Sequence, residues 1–382
     1  MNKNILITVI GVFMTPLLFA QTLYFPGKNQ SWPENIKAYD MEEVINFAIN
    51  NENSVDKDLR IAILKGFSLE PFHQILGPTK KRGDASGLII KNGEIVASWG
   101  DVQRVDMTFS VTKSFLSATY GIAFDESLID SEDKLKDFVW DGKFDSPHNS
   151  KITWEHLLTQ SSDWYGDLWG GADWADRPPK EGSIDQWKQR ELLEPGTNFE
   201  YNDVRVNLLS FSLLQVMRKP LPQVLKESIM DPIDASTTWR WYGYDNSFTL
   251  VDGVNTQSVS GGGHSGGGLF ISTHDMARFG YLMLNSGLWN GNRVLSEKYV
   301  KEATTPSQAN HNYGYLWWLN PNGDSPHLPD LPKSAFYAAG FGGNFIIVDP
   351  ENDLLMVMRW FDTTKVNDFI KLVYKTTKNP NK

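Results

Sequence analysis

Phe109-Ser110-Val111-Thr112-Lys113-Ser114-Phe115-Leu116 is the stretch on which the reading of this chain turns. It reads as the start of an apolar helix, and helix positions i and i+3 share a face, so Ser110 and Lys113 stand side by side. A serine hydroxyl is a poor nucleophile until a base takes its proton, and an amine kept partly neutral by burial is such a base. The helix N-terminus adds free backbone N–H groups and a positive dipole end, which suit a developing oxyanion. Ser-x-x-Lys by itself also recurs by chance as an exposed helical turn, so its meaning depends on the rest of the chain.

On the N-terminal side of that stretch, residues 87–99 predict a β-hairpin, with two apolar runs flanking Asn92-Gly93, the dipeptide a tight primed turn favours. A second hairpin is predicted from Phe345-Ile346-Ile347-Val348 and Leu354-Leu355-Met356-Val357-Met358, joined by the turn-rich 349–353, with a helix at 366–374 packed on the sheet. Between the hairpins the pattern changes to helices and long loops. Residues 154–158, 204–216, 221–229 and 275–284 have helical character, punctuated by Pro178-Pro179, Pro195-Gly196 and Pro220. Strands at both ends and helices between imply an α/β domain (about 21–120 and 250–382) interrupted by a mostly helical insertion (about 121–249).

The 382-residue chain is 41% hydrophobic and carries 14 tryptophans, enough apolar material for a large core. Its formal net charge of −10 argues against a nucleic-acid partner and offers no polybasic patch to an anionic membrane. Residues 1–20 have a positive start at Lys3, an apolar run from Ile5 to Phe19 and a cleavage point at Ala20-Gln21. They read as a secretory signal peptide, so the mature chain 21–382 is expected to be exported, to the periplasm, without stable membrane insertion; an uncleaved anchor is the competing reading. The chain has no cysteine, which excludes disulfides and thiolate metal sites.

A second chemical element lies at Pro195-Gly196-Thr197-Asn198-Phe199-Glu200-Tyr201-Asn202-Asp203, a turn that projects Tyr201 from a loop ahead of a helix. Together with Ser110–Lys113, this order of motifs resembles the penicillin-recognising serine hydrolases, which include class C β-lactamases, DD-peptidases, related esterases and 6-aminohexanoate-dimer hydrolases. The third motif of that family would fall at Ala338-Ala339-Gly340. Residues 152–162, and the segment beginning Ser265-Gly266-Gly267-Gly268-Leu269-Phe270-Ile271-Ser272-Thr273, also look like the family, and the match in order and spacing spans roughly residues 80–362.

The resemblance implies a β-lactamase/DD-peptidase-like fold, an antiparallel sheet flanked by helices with the helical insertion noted above. It implies Ser110 as the acylated nucleophile and Lys113 as the group that takes its proton or holds Tyr201 in a state able to do so. Tyr201 would pass a proton to the leaving group, and the backbone N–H groups of Ser110 and Phe341 would form the oxyanion hole. No metal or organic cofactor is needed. The expected activity is cleavage of a small amide or ester, with β-lactamase or DD-peptidase action, or a non-catalytic sensor domain, as the alternatives.

Two departures from the family pattern bear on this. Asp203 stands where Asn is usual, and either faces Lys113, raising the amine's pKa, or caps its own helix. Ala338 stands where a cation would meet a substrate carboxylate, which lowers the expectation for β-lactam or D-Ala-D-Ala substrates. Trp164, Trp169 and Trp174, in the glycine-rich loop 163–174, are expected to shape an apolar pocket at the site. The seven histidines show no helical metal spacing and read as surface or packing residues. Gly-x-Ser-x-Gly is absent around Ser110, which leaves His264-Ser265, in the glycine run 260–268, as the reserve pair for a serine–histidine site.

Overall fold

A computed structural model of the chain describes residues 25–26, 32–70, 73–321 and 328–378. The expected signal peptide lies outside these residues. Among the described residues, no helix is long and apolar enough to cross a membrane.

Both expected hairpins form, and they pair with each other. Ser86–Lys91 and Glu94–Trp99 are joined through Asn92 and Gly93, both at positive φ as a primed turn requires. Asn344–Asp349 and Leu354–Arg359 form the C-terminal hairpin, and Ser86 pairs with Arg359 and Lys91 with Leu354. Phe336–Gly340 and Trp318–Leu319 extend this into a six-stranded sheet, antiparallel at every junction. Alternate side chains leave its two faces. Leu88, Ile90, Ile346, Val348, Leu355 and Val357 enter the larger core, beneath the helix Thr273–Leu284. Ile89, Ala97, Ile347, Met356 and Met358 enter a second core with the helices Glu42–Asn50 and Val366–Thr377.

A four-stranded sheet lies alongside, in the order Val105–Met107, Gly268–Ser272, Arg240–Val251, Val254–Val259. The strand Arg240–Val251 runs through the position where the helical insertion was expected to end. Arg359 joins the two sheets: its guanidinium donates to the Met107 carbonyl at 3.2 Å and also to the Ile271 carbonyl. It is 1% exposed, and burial brings its pKa down to about 10. Arg359→Met is expected to remove both hydrogen bonds between the sheets and cost about 2–5 kcal/mol. Urea unfolding with an unchanged m-value checks this, and a loss under about 1 kcal/mol would show that the guanidinium does not tie the sheets.

The helix Thr112–Asp125 crosses between the sheets and the helical layer. Every residue from Thr112 to Ala123 is buried, as in a helix surrounded by core rather than lying on it. That position brings Lys113, at its first turn, into the interior.

Candidate active site

Ser110 sits on the tight turn Phe109–Val111 that opens this helix. Phe109 has φ 50°, an uncommon conformation for a side chain of that size, so the surrounding structure must impose it. Two contacts with the neighbouring strand do so: Thr108 N–H donates to the Leu269 carbonyl at 2.9 Å, and Leu269 N–H donates to Thr112 Oγ1 at 3.0 Å. The end of the strand Phe336–Gly340 approaches from the other side. A Cβ on Gly340 would run into the Thr108 carbonyl and stand 3.3 Å from the Ser110 nitrogen, so only glycine permits this approach. Ser110 and Phe341 thereby line one pocket of about 400 Å³.

Lys113 is 1% exposed, and its Nζ donates to Ser110 Oγ at 2.9 Å and to Asp203 Oδ1. Burial pulls the lysine pKa down, but the Asp203 carboxylate and the Tyr201 phenol outweigh it and leave it above the ordinary value. Burial likewise opposes ionisation of Asp203, yet Lys113 and His264 hold its carboxyl far below the usual range. The Tyr201 ring centre lies 4.7 Å from Lys113 Nζ, so serine, lysine, tyrosine and aspartate form one cluster.

Asn202 decides which way Asp203 points. Its Oδ1 accepts from Arg205 N–H at 3.0 Å and caps the helix Asp203–Met217. Asp203 is therefore the first helical residue rather than the cap, and its carboxylate is free to face Lys113. Gln160 fixes this turn from the segment 152–162, accepting the Asn202 N–H at 2.7 Å while its Nε2 donates to Tyr313 at 2.8 Å. The glycine run is closely packed: a Cβ at Gly262 would collide with both Asp203 Oδ1 and Lys113 Nζ.

Sequence reasoning missed the second tier of the site. His264, 6% exposed, points Nδ1 at Asp203 Oδ2 (3.2 Å) and Nε2 at Glu70 Oε2 (2.6 Å), which corrects the expectation of a surface or packing histidine. Its place in a glycine run carried no periodic signal, and Glu70 follows a short helix with no motif of its own. Arg177 lies 3.7 Å from both Glu70 and Asp176 and faces the Tyr201 ring at 5.6 Å. Donor atoms of Glu70, His73 and His264, and of Asp176, Asp203 and His264, lie within 4.8 Å of one another, a spacing that could suit a metal ion. Here both oxygens of Asp203 and both ring nitrogens of His264 are already spent on each other, Lys113 and Glu70.

The pocket wall also differs from expectation. Trp164 is 1% exposed and donates Nε1–H to the Lys143 carbonyl at 2.9 Å; it is a core residue, held by the loop's need to bury its apolar bulk. Trp169 and Trp174 line a neighbouring cavity of about 300 Å³ that shares only Asp203 and His264 with the Ser110 pocket. The aromatic wall beside Ser110 is instead Trp318, stacked on Tyr201 at 5.7 Å and on Tyr337 at 6.4 Å. Ala338 joins the larger core because strand alternation turns it inward, and Ala339 and Gly340 line the pocket in its place.

Residues 74–368 match the model of the family described as Beta-lactamase. A protein of Escherichia coli O157:H7 named "Putative D-alanyl-D-alanine carboxypeptidase" is 24% identical over 369 residues, covering 77% of this chain and 82% of that protein. The crystal structure titled "putative beta-lactamase" from Bacteroides dorei superposes with a TM-score of 0.58 at 13% identity, over 89% of this chain and all of that one. A structure titled "Putative 6-aminohexanoate-dimer hydrolase" from Bacillus anthracis gives 0.54 at 17% identity, over 93% and 86% of the two chains. With the serine–lysine–tyrosine cluster assembled on this fold, the chain belongs to the Beta-lactamase family of serine hydrolases.

Proposed function

We propose that this protein is an exported hydrolase that cleaves a small, neutral amide or ester through an acyl-enzyme on Ser110. The observation that carries the reading is the Lys113 amine, 2.9 Å from Ser110 Oγ and anchored by a buried carboxylate. Because Asp203 favours the ammonium, the resting lysine is charged, and the reactive form is the Lys113–Tyr201 pair with one proton fewer. That pair takes the Ser110 proton as Oγ attacks the substrate carbonyl carbon. The N–H groups of Ser110 and Phe341 stabilise the resulting oxyanion. The pair then returns the proton to the leaving amine or alcohol, and water repeats the sequence in reverse to release the acid.

The pocket supports a neutral substrate. Among the described residues its cations are Arg177 and His264, with Lys113 behind Ser110, and each is already paired with a carboxylate. Ala339 and Gly340 add none from the strand. A substrate carboxylate therefore lacks a charge-assisted hydrogen bond worth roughly 1.5–3 kcal/mol, or about 10- to 150-fold in kcat/KM. The protein is expected to hydrolyse p-nitrophenyl acetate with a higher kcat/KM than nitrocefin. A clear preference for nitrocefin would mean that one of the paired cations releases its partner to bind the substrate carboxylate.

A further inference from the structure

We propose that His264 is a positioning residue of this site, held as an imidazolium between Glu70 and Asp203 so that Asp203 has one oxygen rather than two for Lys113. The kinetic part of this inference rests on the acyl-enzyme reading above; the state of the ring does not.

Ionised carboxylates only accept hydrogen bonds, and a neutral imidazole has only one N–H. His264 presents one nitrogen to Glu70 Oε2 at 2.6 Å and the other to Asp203 Oδ2 at 3.2 Å. With both carboxylates ionised, a neutral ring would set a lone pair against one of these oxygens, and the doubly protonated ring satisfies both. Phe67 packs on the ring, its centre 4.1 Å from that of His264, an aromatic contact compatible with a cation. Burial opposes the charge, but the hydrogen bonds to Asp203 and Glu70 prevail and push the His264 pKa up to about 9.

The charged and titratable groups around the ring come from every neighbouring element. Glu70 and His73 approach from the segment after the helix Leu59–Gly66, and burial together with the His264 charge keeps His73 below its ordinary pKa. Asp176 and Arg177 come from the loop beyond Trp174, Asp203 and Lys113 from their two helices, and Tyr244 from the strand Arg240–Val251. Asp203 thus serves two cations, Lys113 on Oδ1 and His264 on Oδ2. Removing the imidazolium would leave the whole carboxylate charge to the lysine and take away a nearby positive charge. Both changes stabilise the ammonium and hold back its proton.

Histidine-selective 15N labelling of the full-length protein tests the state of the ring. At pH 7 both His264 nitrogens are expected at protonated shifts, assigned by their loss in His264→Gln and titrating near pH 9. A non-protonated nitrogen at pH 7 would overturn the imidazolium. Glu70→Gln removes one carboxylate and should bring that titration toward the ordinary histidine value, and an unchanged titration would also overturn it. In His264→Gln the basic limb of the kcat/KM profile for p-nitrophenyl acetate should move up by half a pH unit or more, whereas a merely structural residue would lower the plateau without moving the limb. An unmoved limb would overturn the positioning role. If His264→Gln does not fold, the limb is read in Glu70→Gln, where it should stay in place below the new histidine titration and climb above it, and its absence of change there overturns the role. A failed acyl-enzyme assignment would appear separately, as turnover that survives Ser110→Ala with the ring spectrum intact.

Discussion

Ser110→Ala is expected to lower kcat/KM for p-nitrophenyl acetate by about 10⁴-fold or more, because an acylated nucleophile has no substitute within the site. Mass spectrometry after exposure to a fluorophosphonate should show one adduct on Ser110 in the wild type and none in the variant. The substitution removes one hydroxyl that accepts from Lys113, so the thermal transition should stay within a few degrees. Residual activity within tenfold of wild type would sink the assignment. His264-Ser265 would then have to be examined as the nucleophilic pair, although His264 is turned toward Asp203 and Glu70.

Asp203→Ala should have the largest effect on stability, at about 3–5 kcal/mol in urea unfolding. The reason is the partner left behind: Lys113 is 1% exposed and would keep a buried charge with no carboxylate to meet it. Asp203→Asn separates charge from shape. Asp203 raises the Lys113 pKa, so its neutralisation should move the basic limb of kcat/KM to lower pH, and one unit of movement corresponds to about 1.4 kcal/mol. The Asp203 carboxyl is itself held below the usual range, so its contribution to folding is present above about pH 4 and lost as the pH falls below that. The wild type should therefore lose stability in acid more steeply than Asp203→Asn. A limb that stays in place in Asp203→Asn would refute the charge coupling between Asp203 and the lysine.

Local chemistry made the Asp203 question visible but could not answer it. Asparagine and aspartate both cap helices, and Asn202-Asp203 offers the two in succession. The choice fell to Asn202 because Gln160, forty-two positions earlier, takes its N–H, and because Lys113 waits for the Asp203 carboxylate. Ala338 shows the same division. Its place in the third motif was legible, but which way it faced depended on the register of Phe336–Gly340 against Asn344–Asp349, and that register turns it into the core.

The sequence by itself determined the two hairpins, through alternating apolar residues and Asn92-Gly93, and the apolar helix that opens just after Ser110 and carries Lys113 in its first turn. These are short-range properties, set by the periods of strand and helix and by turn stereochemistry. It also determined the order of serine, lysine and tyrosine along the chain. Only the tertiary structure decided that the hairpins pair with each other, that Trp318 rather than Trp164 lines the pocket beside Ser110, and that Glu70 and His264 stand behind Asp203. Those residues come from distant segments, and nothing in their local surroundings requires them to meet. What brings them together is the need of a buried lysine and carboxylate to be paired and hydrogen-bonded, a requirement that exists only once the interior has closed around them.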